Sequence, residues 1–488
     1  MFNRLWSQFF SSESSDESTT STKNSKPDDK TSGSETEMTE TSNEIDIQLM
    51  PTGLKKLLDK VDLSHPPGLA GDICEDLATL EYRALPNLRP AAAMMILSSL
   101  ASQIENPPYK LNLYVISTAL TASGKEAHQN YLKQALSDLG LDSKLHDTPR
   151  SDKTIMFDLL YSEGCSIYVL DEGHVLFRTA LSSRASTFEK NMADLLLQLK
   201  TAKQYRLSGN LKREVQEQLI ARLEKADKKK SNTAFQPEDK EKLKNLLELT
   251  NECIHDPFVN LISYSVPQNV AFLFSKKEIE TGLLGRIIFV RGPSKRAPLR
   301  GHDKVVRPSK DISERLKAIS TENLPTESLA ARTTLHAIKE YLERDENRNH
   351  GMYGAIFARG YEQIRVVAAL LALESKKIDQ SMVIYAFKQF LNSLHECETH
   401  LSKQSKTSIE ESQKLVELKV REYSERHGSG SFGVIRNNIF KCSAPIRKLE
   451  NNQKDFLSNT LQKFADMGVL IKVGNNQYLH KSCISAKK

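Results

Sequence analysis

The feature that most constrains the fold of this chain is the run Ile167-Tyr168-Val169-Leu170-Asp171-Glu172. Four apolar residues that end in two adjacent carboxylates are typical of a buried strand that carries acid groups at its carboxyl end. Further strands are expected at 111–117, 258–264 and 284–290, and helical patterns lie between them. Because strands and helices alternate, the sequence predicts an α/β fold with a largely parallel sheet and helices on its faces.

A second motif, Ser123-Gly124-Lys125-Glu126, follows the predicted strand at 111–117 and precedes a predicted helix at 126–139. Glycine lets the backbone approach a phosphate closely, and a lysine can bridge the β- and γ-phosphates at a helix N-terminus. The match is imperfect, because Ala119 stands where a first glycine is usual and Glu126 stands where Ser or Thr is usual. The motif predicts a phosphate-binding loop that consists of Ala119, Ser123, Gly124, Lys125 and Glu126.

Together, the two motifs predict a site for ATP and Mg²⁺. Asp171 is suited to the shell of the metal ion, and Glu172 is suited to polarise an attacking water as a general base. Glu126 either adds a metal contact through water or only caps its helix. The alternative for the acid pair is that both carboxylates cap the helix that follows the strand.

Two further motifs are candidates for the same chemistry. Ser263 and Ser265 end a predicted strand, and a hydroxyl there either senses the γ-phosphate or is an ordinary serine between strand and turn. In Gly282-Leu283-Leu284-Gly285-Arg286, an arginine lies on a turn flanked by glycines. Arg286 is predicted to reach into the site of a neighbouring subunit and to stabilise transition-state charge there. The alternative for Arg286 is a surface salt bridge.

The composition is that of a protein without membrane segments. Hydrophobic residues make up 39% of the chain and charged residues 27%, and no run approaches the roughly 20 apolar residues of a membrane helix. Six cysteines are scattered singly, which favours reduced thiols in the cytoplasm over disulfides or a zinc site. The net charge is +6 although residues 1–46 are acidic, so the rest of the chain is basic, as suits a polyanionic partner.

Changes in pattern along the chain predict five segments. They are an acidic, Ser/Thr-rich disordered tail (1–46), an N-terminal helical domain (47–108), an ATPase core (109–305) with a helical insertion (187–254), a second helical domain (306–426) and a C-terminal domain (427–488). The aromatic cluster of residues 2–10 is either a docking motif for a replication partner or a fraying terminus.

The sequence of the C-terminal domain predicts helices at 434–440, 446–449 and 453–467, followed by a hairpin at 469–479. Three helices followed by a β-hairpin are the order of a winged helix. Its candidate DNA-binding residues are Arg436, Lys441, Arg447, Lys448, Lys454, Asn459, Lys463 and Lys472. Polar base-edge readers interleaved with phosphate-binding cations favour duplex DNA, and the alternative is a winged helix that contacts proteins.

Over roughly residues 49–401, the chain resembles the phage- and plasmid-borne P-loop ATPases of the primase-helicase-like type, long catalogued as a domain of unknown function. The resemblance rests on Gly124-Lys125-Glu126, on residues 169–174, on the approach from Asp256-Pro257 to Ser265, on residues 282–286 and on the helix at 360–373. It implies a RecA-like motor that assembles as a homo-oligomeric ring, a hexamer, and acts in DNA replication of a mobile element. It also implies that glutamate at position 126 is a family trait.

The sequence therefore predicts an ATP-dependent DNA motor, a replicative helicase or initiator-helicase. Two alternatives of other classes stay open. One is a DNA-binding regulator or adaptor in which ATP is only a conformational switch. The other is a protein-remodelling ATPase that recruits its partner through the N-terminal tail.

Overall fold

The computed structural model describes residues 50–181, 187–228, 237–274, 282–301, 305–351, 353–427, 434–435, 440, 444, 446–447, 455–474 and 477–483. Packing divides the chain into two compact units, Met1–Cys397 and Glu398–Lys488. The predicted boundaries at 108 and 305 lie inside the first unit. The predicted boundary at 427 lies inside the second.

The described strands are β1 (Tyr114–Thr118), β2 (Leu145–His146), β3 (Cys165–Asp171), β4 (Gln204–Tyr205), β5 (Ile254–His255), β6 (Phe258–Ser265), β7 (Ile287–Arg291), β8 (Thr326–Glu327), β9 (Lys377–Ile378), β10 (Val434–Ile435), β11 (Leu470–Gly474) and β12 (Gln477–His480). The described α-helices are α1 (Thr52–Leu58), α2 (Leu69–Ala78), α3 (Arg89–Ala101), α4 (Lys125–Asp138), α5 (Asp152–Tyr161), α6 (His174–Leu181), α7 (Thr187–Thr201), α8 (Gly209–Lys228), α9 (Pro237–Leu249), α10 (Pro267–Val270), α11 (Lys310–Ala318), α12 (Leu329–Leu342), α13 (Asp345–Arg348), α14 (Gly354–Leu371), α15 (Gln380–His427) and α16 (Phe456–Asp466).

The first unit contains a five-stranded sheet in the order β2-β3-β6-β1-β7. Every neighbouring pair is parallel, with Tyr114 opposite both Leu261 and Ile287. The predicted α/β class with a parallel sheet is confirmed, and this order is compatible with a RecA-like core. Because the strands are parallel, their carboxyl ends meet at one edge, and β6 ends between the loop after β1 and the acids after β3.

Helix α3 lies in the core of the same unit rather than in a separate domain. Every residue from Pro90 to Ala101 is buried, as expected of a helix that is apolar on all sides. The hydroxyl of Ser98 donates to Oδ1 of Asn260 at 2.8 Å, and Nδ2 of Asn260 donates to the hydroxyl of Ser99 at 3.1 Å. These bonds fasten α3 to β6, which explains why the unit runs through the predicted boundary at 108.

The insertion between β3 and β6 differs from its prediction. The insertion predicted as helical at 187–254 also contains strands, because α7 and α8 are separated by β4, which pairs antiparallel with β5. The buried side chains of Leu195, Leu196 and Leu199 give α7 an apolar face, and α7 packs against β6. An apolar stripe of this kind needs a partner surface, and β6 provides one.

The second unit contains β10, β11, β12 and α16. The hairpin predicted at 469–479 is confirmed as β11 and β12, and it forms a three-stranded antiparallel sheet with β10. The helix predicted at 434–440 is wrong at its start, because Val434 and Ile435 pair as a strand with Tyr478 and Gln477. β-branched residues favour such a strand. The core of this unit includes Val416 and Val420 of α15 together with Leu457 and Leu461.

Within the described residues, no helix is both long enough and apolar enough to cross a membrane.

A buried charge cluster joins the segment before α3 to α4. The carboxylate of Glu81, fully buried, accepts hydrogen bonds from Nε and Nη2 of Arg89 at 3.1 and 2.7 Å, and its Oε1 lies 2.9 Å from Nε2 of His128. Burial raises the pKa of Glu81, but the hydrogen bonds to His128 and Arg89 outweigh it and hold the pKa at about 2. Charge and hydrogen bonding therefore stabilise the ionised form inside the core.

We expect Glu81→Gln to lower the free energy of unfolding by about 3 kcal/mol near neutral pH, because glutamine lacks the buried negative charge that pairs with Arg89. The folded pKa of Glu81 lies below its unfolded value, so the stabilisation is fully present above about pH 4.5 and is lost as the pH falls towards about 2. Urea unfolding from pH 7 to pH 2.5 measures this. Glu105→Gln, at an exposed position, is the matched control. An equal loss of stability at all pH values would contradict the assignment.

Candidate nucleotide site

The loop of residues 119–125, here called the Gly-Lys loop, joins β1 to α4. Ala122 and Gly124 have positive φ angles of 55° and 100°, the left-handed conformation that occurs in anion-binding backbone nests. The N–H of Ala119 donates to the carbonyl of Ser265 at 3.0 Å, which fastens the start of the loop to β6. The predicted turn between strand and helix is therefore present with its glycine in a conformation that most side chains disfavour.

Lys125 is the first residue of α4, and its side chain is only 9% exposed. Its Nζ donates to the carbonyls of Ala119 at 3.2 Å and Leu120 at 3.5 Å, so the ammonium group lies inside the loop. Burial lowers the pKa of Lys125, and the carboxylates of Glu126, Asp171 and Glu172 oppose that effect. The lysine and the acid pair are therefore electrostatic neighbours, although they come from different strands.

Two features of the loop suit an anion. The hydroxyl of Ser123 is buried and has no hydrogen-bond partner among the described residues. At the N-terminus of α4, Gly124 occupies the N-cap position and makes no side-chain cap. Unsatisfied buried donors are rare, and helix N-termini attract phosphate. A phosphate group would satisfy both sets of donors.

The acid turn, residues 171–174, follows β3 at the same edge of the sheet. Oδ1 of Asp171 accepts a hydrogen bond from Nε2 of Gln129 on α4 at 3.1 Å. Glu172 is exposed and has a positive φ of 51°, a strained conformation for a residue with a side chain. Gln129 therefore connects the helix after the Gly-Lys loop directly to the first acid.

The predicted sensor serines lie beneath this turn. Ser263 and Ser265 are buried, and their hydroxyls are 3.3 Å apart. The Oγ of Ser265 accepts a hydrogen bond from the backbone N–H of His174 at 3.3 Å and lies 3.4 Å from Nδ1 of the same histidine. Burial lowers the pKa of His174, against the opposing effect of Glu172, so the imidazole is favoured in its neutral form. The two serines support the acid turn from below.

Gly173 makes this close packing possible. A Cβ atom added there would lie 2.5 Å from Oγ and 2.7 Å from Cβ of Ser263. We expect Gly173→Ala to lower the free energy of unfolding by roughly 1–3 kcal/mol, because the turn must move away from β6. Urea unfolding measures the loss. Gly53→Ala is the control, since a Cβ there would meet nothing within 4 Å. Equal stability of the two variants would show that the turn yields without strain.

The carboxylate of Glu126 is hydrogen-bonded within the chain and is not an open metal ligand. Its Oε2 accepts a hydrogen bond from the hydroxyl of Tyr82 at 2.5 Å. Burial raises the pKa of Glu126 less than the hydrogen bond from Tyr82 and the charge of Lys125 lower it, so the pKa falls below its usual range. Burial and the same bond raise the pKa of Tyr82 to about 12. Here the carboxylate fastens the turn of residues 81–83 to α4.

Arg286 lies at the other edge of the sheet. It precedes β7, level with the start of β1, so it stands one strand length, roughly 16 Å, from the edge that carries the Gly-Lys loop. Its Nη1 donates to the carbonyl of Gly282 at 3.0 Å, and burial lowers its pKa. Arg286 therefore does not join the loop and the acids of its own chain. Its predicted action on a neighbouring subunit stays a prediction.

Another arginine, which the sequence analysis missed, does reach the loop. The Nε of Arg296 donates to the carbonyl of Thr121 at 2.7 Å, and the side chain is exposed. Its segment is held by two more bonds, from Arg300 N–H to the carbonyl of Tyr82 at 2.7 Å and from Nη1 of Arg83 to the carbonyl of Ala297 at 2.6 Å. The sequence signal was weak: Arg296 is one of several cations in a stretch without helical or strand pattern.

Half of the predicted DNA-binding residues can be located. Asn459 and Lys463 lie on the exposed face of α16, Lys472 is exposed on β11, and Arg447 is exposed. Nζ of Lys463 donates to Oε1 of Gln413 at 3.0 Å. The other four candidates, Arg436, Lys441, Lys448 and Lys454, lie outside the described residues.

The residues present fit the predicted Mg²⁺ and ATP. In the described part of the chain, no group of three or more His, Cys, Asp or Glu side chains is arranged to hold a metal ion. Mg²⁺ in nucleotide sites is usually held by one or two carboxylates together with the phosphates, so Asp171 beside a phosphate-type loop is a suitable donor. The orphaned hydroxyl of Ser123 is the independent observation that favours a phosphate.

The chain matches no model of a known protein family, and no curated protein matches it either.

Proposed function

We propose that this protein is a P-loop ATPase with a RecA-like core that drives a DNA motor, of the replicative helicase or initiator-helicase class. The observation that carries the proposal is the meeting of two motifs at one sheet edge. The helix that follows the Gly-Lys loop, α4, is joined to the acid turn after β3 by the Gln129–Asp171 bond of 3.1 Å. Lys125 lies within the electrostatic reach of both acids, which suits ATP hydrolysis more than it suits a structural turn.

In this proposal the loop holds the phosphates of ATP. The backbone N–H groups at the start of α4, the hydroxyl of Ser123 and Nζ of Lys125 donate to phosphate oxygens. Asp171 would hold Mg²⁺, which would supply positive charge against the phosphates. Gln129 fixes the orientation of the Asp171 carboxylate. Glu126 is assigned to the bond with Tyr82 rather than to the metal.

Glu172 serves as the general base. Its carboxylate is exposed, so an attacking water can reach it, and the strained backbone holds it beyond the end of β3. Ser263, Ser265 and His174 act as positioning residues, because they support the turn from below without reaching its exposed side.

Arg296 is the cation of the same chain that we assign to the phosphates. Its Nε is fixed by the loop carbonyl of Thr121, which leaves the Nη end of an exposed guanidinium beside the loop. We expect Arg296→Gln to lower kcat for ATP hydrolysis roughly 10- to 100-fold, as for the loss of a hydrogen bond to a charged group. Steady-state phosphate release measures it. Arg300→Gln, on the same segment, is the matched control and should stay within twofold.

The variant Arg286→Ala tests the role of Arg286 separately from that of Arg296. If Arg286 acts on a neighbouring subunit, this variant loses turnover, keeps nucleotide binding and is rescued in part when mixed with Lys125→Ala subunits. If the Arg286→Ala variant unfolds instead, the bond of Arg286 to the carbonyl of Gly282 is structural.

Unchanged turnover in Arg296→Gln would show that Arg296 does not act on the phosphates.

DNA binding is assigned to the C-terminal unit, with the exposed side chains of Asn459 and Lys463 on α16 and Lys472 on the hairpin. A helix beside a three-stranded antiparallel sheet supports a winged helix. Ring assembly, action in the cytoplasm on a mobile element and docking of a replication partner on the N-terminal tail follow from the resemblance and the composition. The tail lies outside the described residues.

The experiment that tests the proposal is steady-state ATP hydrolysis with and without single-stranded and forked DNA. A DNA motor should hydrolyse ATP faster when single-stranded DNA is added, and it should separate the strands of the fork. Deletion of residues 1–43 should leave the stimulation intact, which distinguishes a motor from a remodelling ATPase recruited through the tail. Turnover that is indifferent to every DNA would overturn the motor assignment.

One observation favours a second candidate, a DNA-binding regulator in which ATP is a conformational switch. Tyr82 binds the carboxylate that follows Lys125, so nucleotide on the loop and the position of the 81–83 turn are coupled. Slow turnover without DNA stimulation, together with DNA affinity that changes between ADP and ATP, would support this candidate.

A further inference from the structure

A polar cavity of about 600 Å³ opens where β7 ends. Its walls are residues 61–64, 86–87, 290–294 and part of α15 from Lys388 to Glu396, all within the first unit. Sites for small molecules usually enclose about 300–1,000 Å³, so the volume suits a ligand of nucleoside size.

The cavity and the Gly-Lys loop share a backbone boundary. The N–H of Gly292, in the cavity wall, donates to the carbonyl of Thr118 at 2.7 Å. A Cβ atom at Gly292 would lie 3.0 Å from Cβ of Ala119, the first residue of the loop. The cavity wall is therefore adjacent to the first residue of the loop.

The charged groups of the wall already have opposite or polar partners. Nη1 of Arg291 lies 3.6 Å from the carboxylate of Glu396, and Nζ of Lys388 donates to the carbonyls of Leu58 and Val61 at 3.1 and 2.6 Å. Asp62 accepts two hydrogen bonds from Ser64. Such a wall suits a neutral group with many hydrogen-bonding positions more than it suits an ion.

The wall also contains an unsatisfied donor. Gln389 is only 4% exposed, and its Nε2 has no hydrogen-bond partner among the described residues. A buried amide nitrogen without a partner is costly, and the residue that carries it lines this cavity. Carboxamides pair well with nucleobase edges, since Gln can bond to N6 and N7 of adenine at once.

We infer that this cavity binds the base and ribose of the nucleotide whose phosphates lie on the Gly-Lys loop, and that Gln389 reads the edge of the base. The inference rests on the proposed function, because it assigns the other half of the same ligand. Asn87 and Asn392 line the same wall and supply further polar contacts.

The test is calorimetric titration of the full-length chain with ATP, GTP, adenosine and inorganic tripolyphosphate, each with Mg²⁺. Gln389→Glu keeps the size of the side chain but removes the donor. We expect it to weaken ATP and adenosine about tenfold, to change the ratio of ATP to GTP affinity, and to leave tripolyphosphate within twofold. Gln198→Glu, at an exposed position of α7, is the matched control and should change none of them.

Three outcomes are decisive. Unchanged ATP affinity in Gln389→Glu, with Lys125→Ala still weakening both ATP and tripolyphosphate, would overturn the cavity inference alone. Equal losses for ATP and tripolyphosphate in Gln389→Glu would also overturn it, since they would indicate a disturbed loop; Asn392→Ala repeats the measurement at a second wall residue. Tripolyphosphate and ATP affinities that both ignore Lys125→Ala would instead refute the proposed ATPase function.

Discussion

Glu172→Gln is expected to lower kcat for ATP hydrolysis by roughly 10²- to 10⁴-fold, the usual contribution of a general base. Glutamine has nearly the same shape as glutamate but cannot accept the proton of an attacking water. The position is exposed and only its backbone is strained, so neither the fold nor nucleotide binding should change. Pre-steady-state phosphate release, together with ATP affinity by calorimetry, measures the two quantities separately.

The chain offers a closely matched control for this variant at the other end of the same strand. Glu163 is also an exposed glutamate with a positive φ, 55°, and it lies just before β3 at the amino-terminal edge of the sheet. Glu163→Gln makes the same chemical change on the same kind of backbone and should keep full turnover. If the two variants were equally active, Glu172 would not be the base and the acid turn would be structural.

Lys125→Ala is expected to lower kcat/KM for ATP roughly 10²- to 10³-fold, because it removes a preorganised cation from the charge that develops on the phosphates. Part of the loss should appear as weaker ATP binding. The ammonium group also donates to the carbonyls of Ala119 and Leu120, so the loop itself loses two hydrogen bonds. Initial rates over a range of ATP concentrations separate kcat from KM.

Lys133→Ala is the control on the same helix, since Lys133 is an exposed lysine two turns beyond the loop. Circular dichroism of both variants should match the parent chain. A tenfold or smaller effect of Lys125→Ala on kcat/KM would mean that the buried lysine supports the loop without contacting nucleotide.

The parallel sheet and the residues at the carboxyl ends of its strands could be predicted, because short sequence patterns indicate both. Strands β1, β3 and β6 begin or end within a few residues of the expected positions, since each is a short apolar run bounded by turn residues. The same is true of Gly124, Lys125, Asp171 and Glu172, whose types and order along the chain indicate where parallel strands deliver them.

Contacts between distant parts of the chain were not predictable. Tyr82 reaches Glu126 and Arg296 reaches Thr121 across 44 and 175 positions, and neither residue belongs to a motif. Gln129 lies only four residues from Lys125, yet its bond to Asp171 depends on how α4 packs beside β3. The local pattern at Val434 and Ile435 indicates helix, because it does not contain their pairing with Tyr478 and Gln477, which is a tertiary effect.

The enclosed cluster of Glu81, Arg89 and His128 has a consequence for how nucleotide binding can be transmitted. Water cannot substitute for bonds broken inside the core, so α3 and α4 should translate together as a single rigid block. Tyr82 directly follows Glu81, and its hydroxyl donates a hydrogen bond to Glu126 near the surface. Residues 82 and 83 are bonded in turn to the segment at 296–300, so a displacement of α4 on nucleotide binding would be passed through them to that segment.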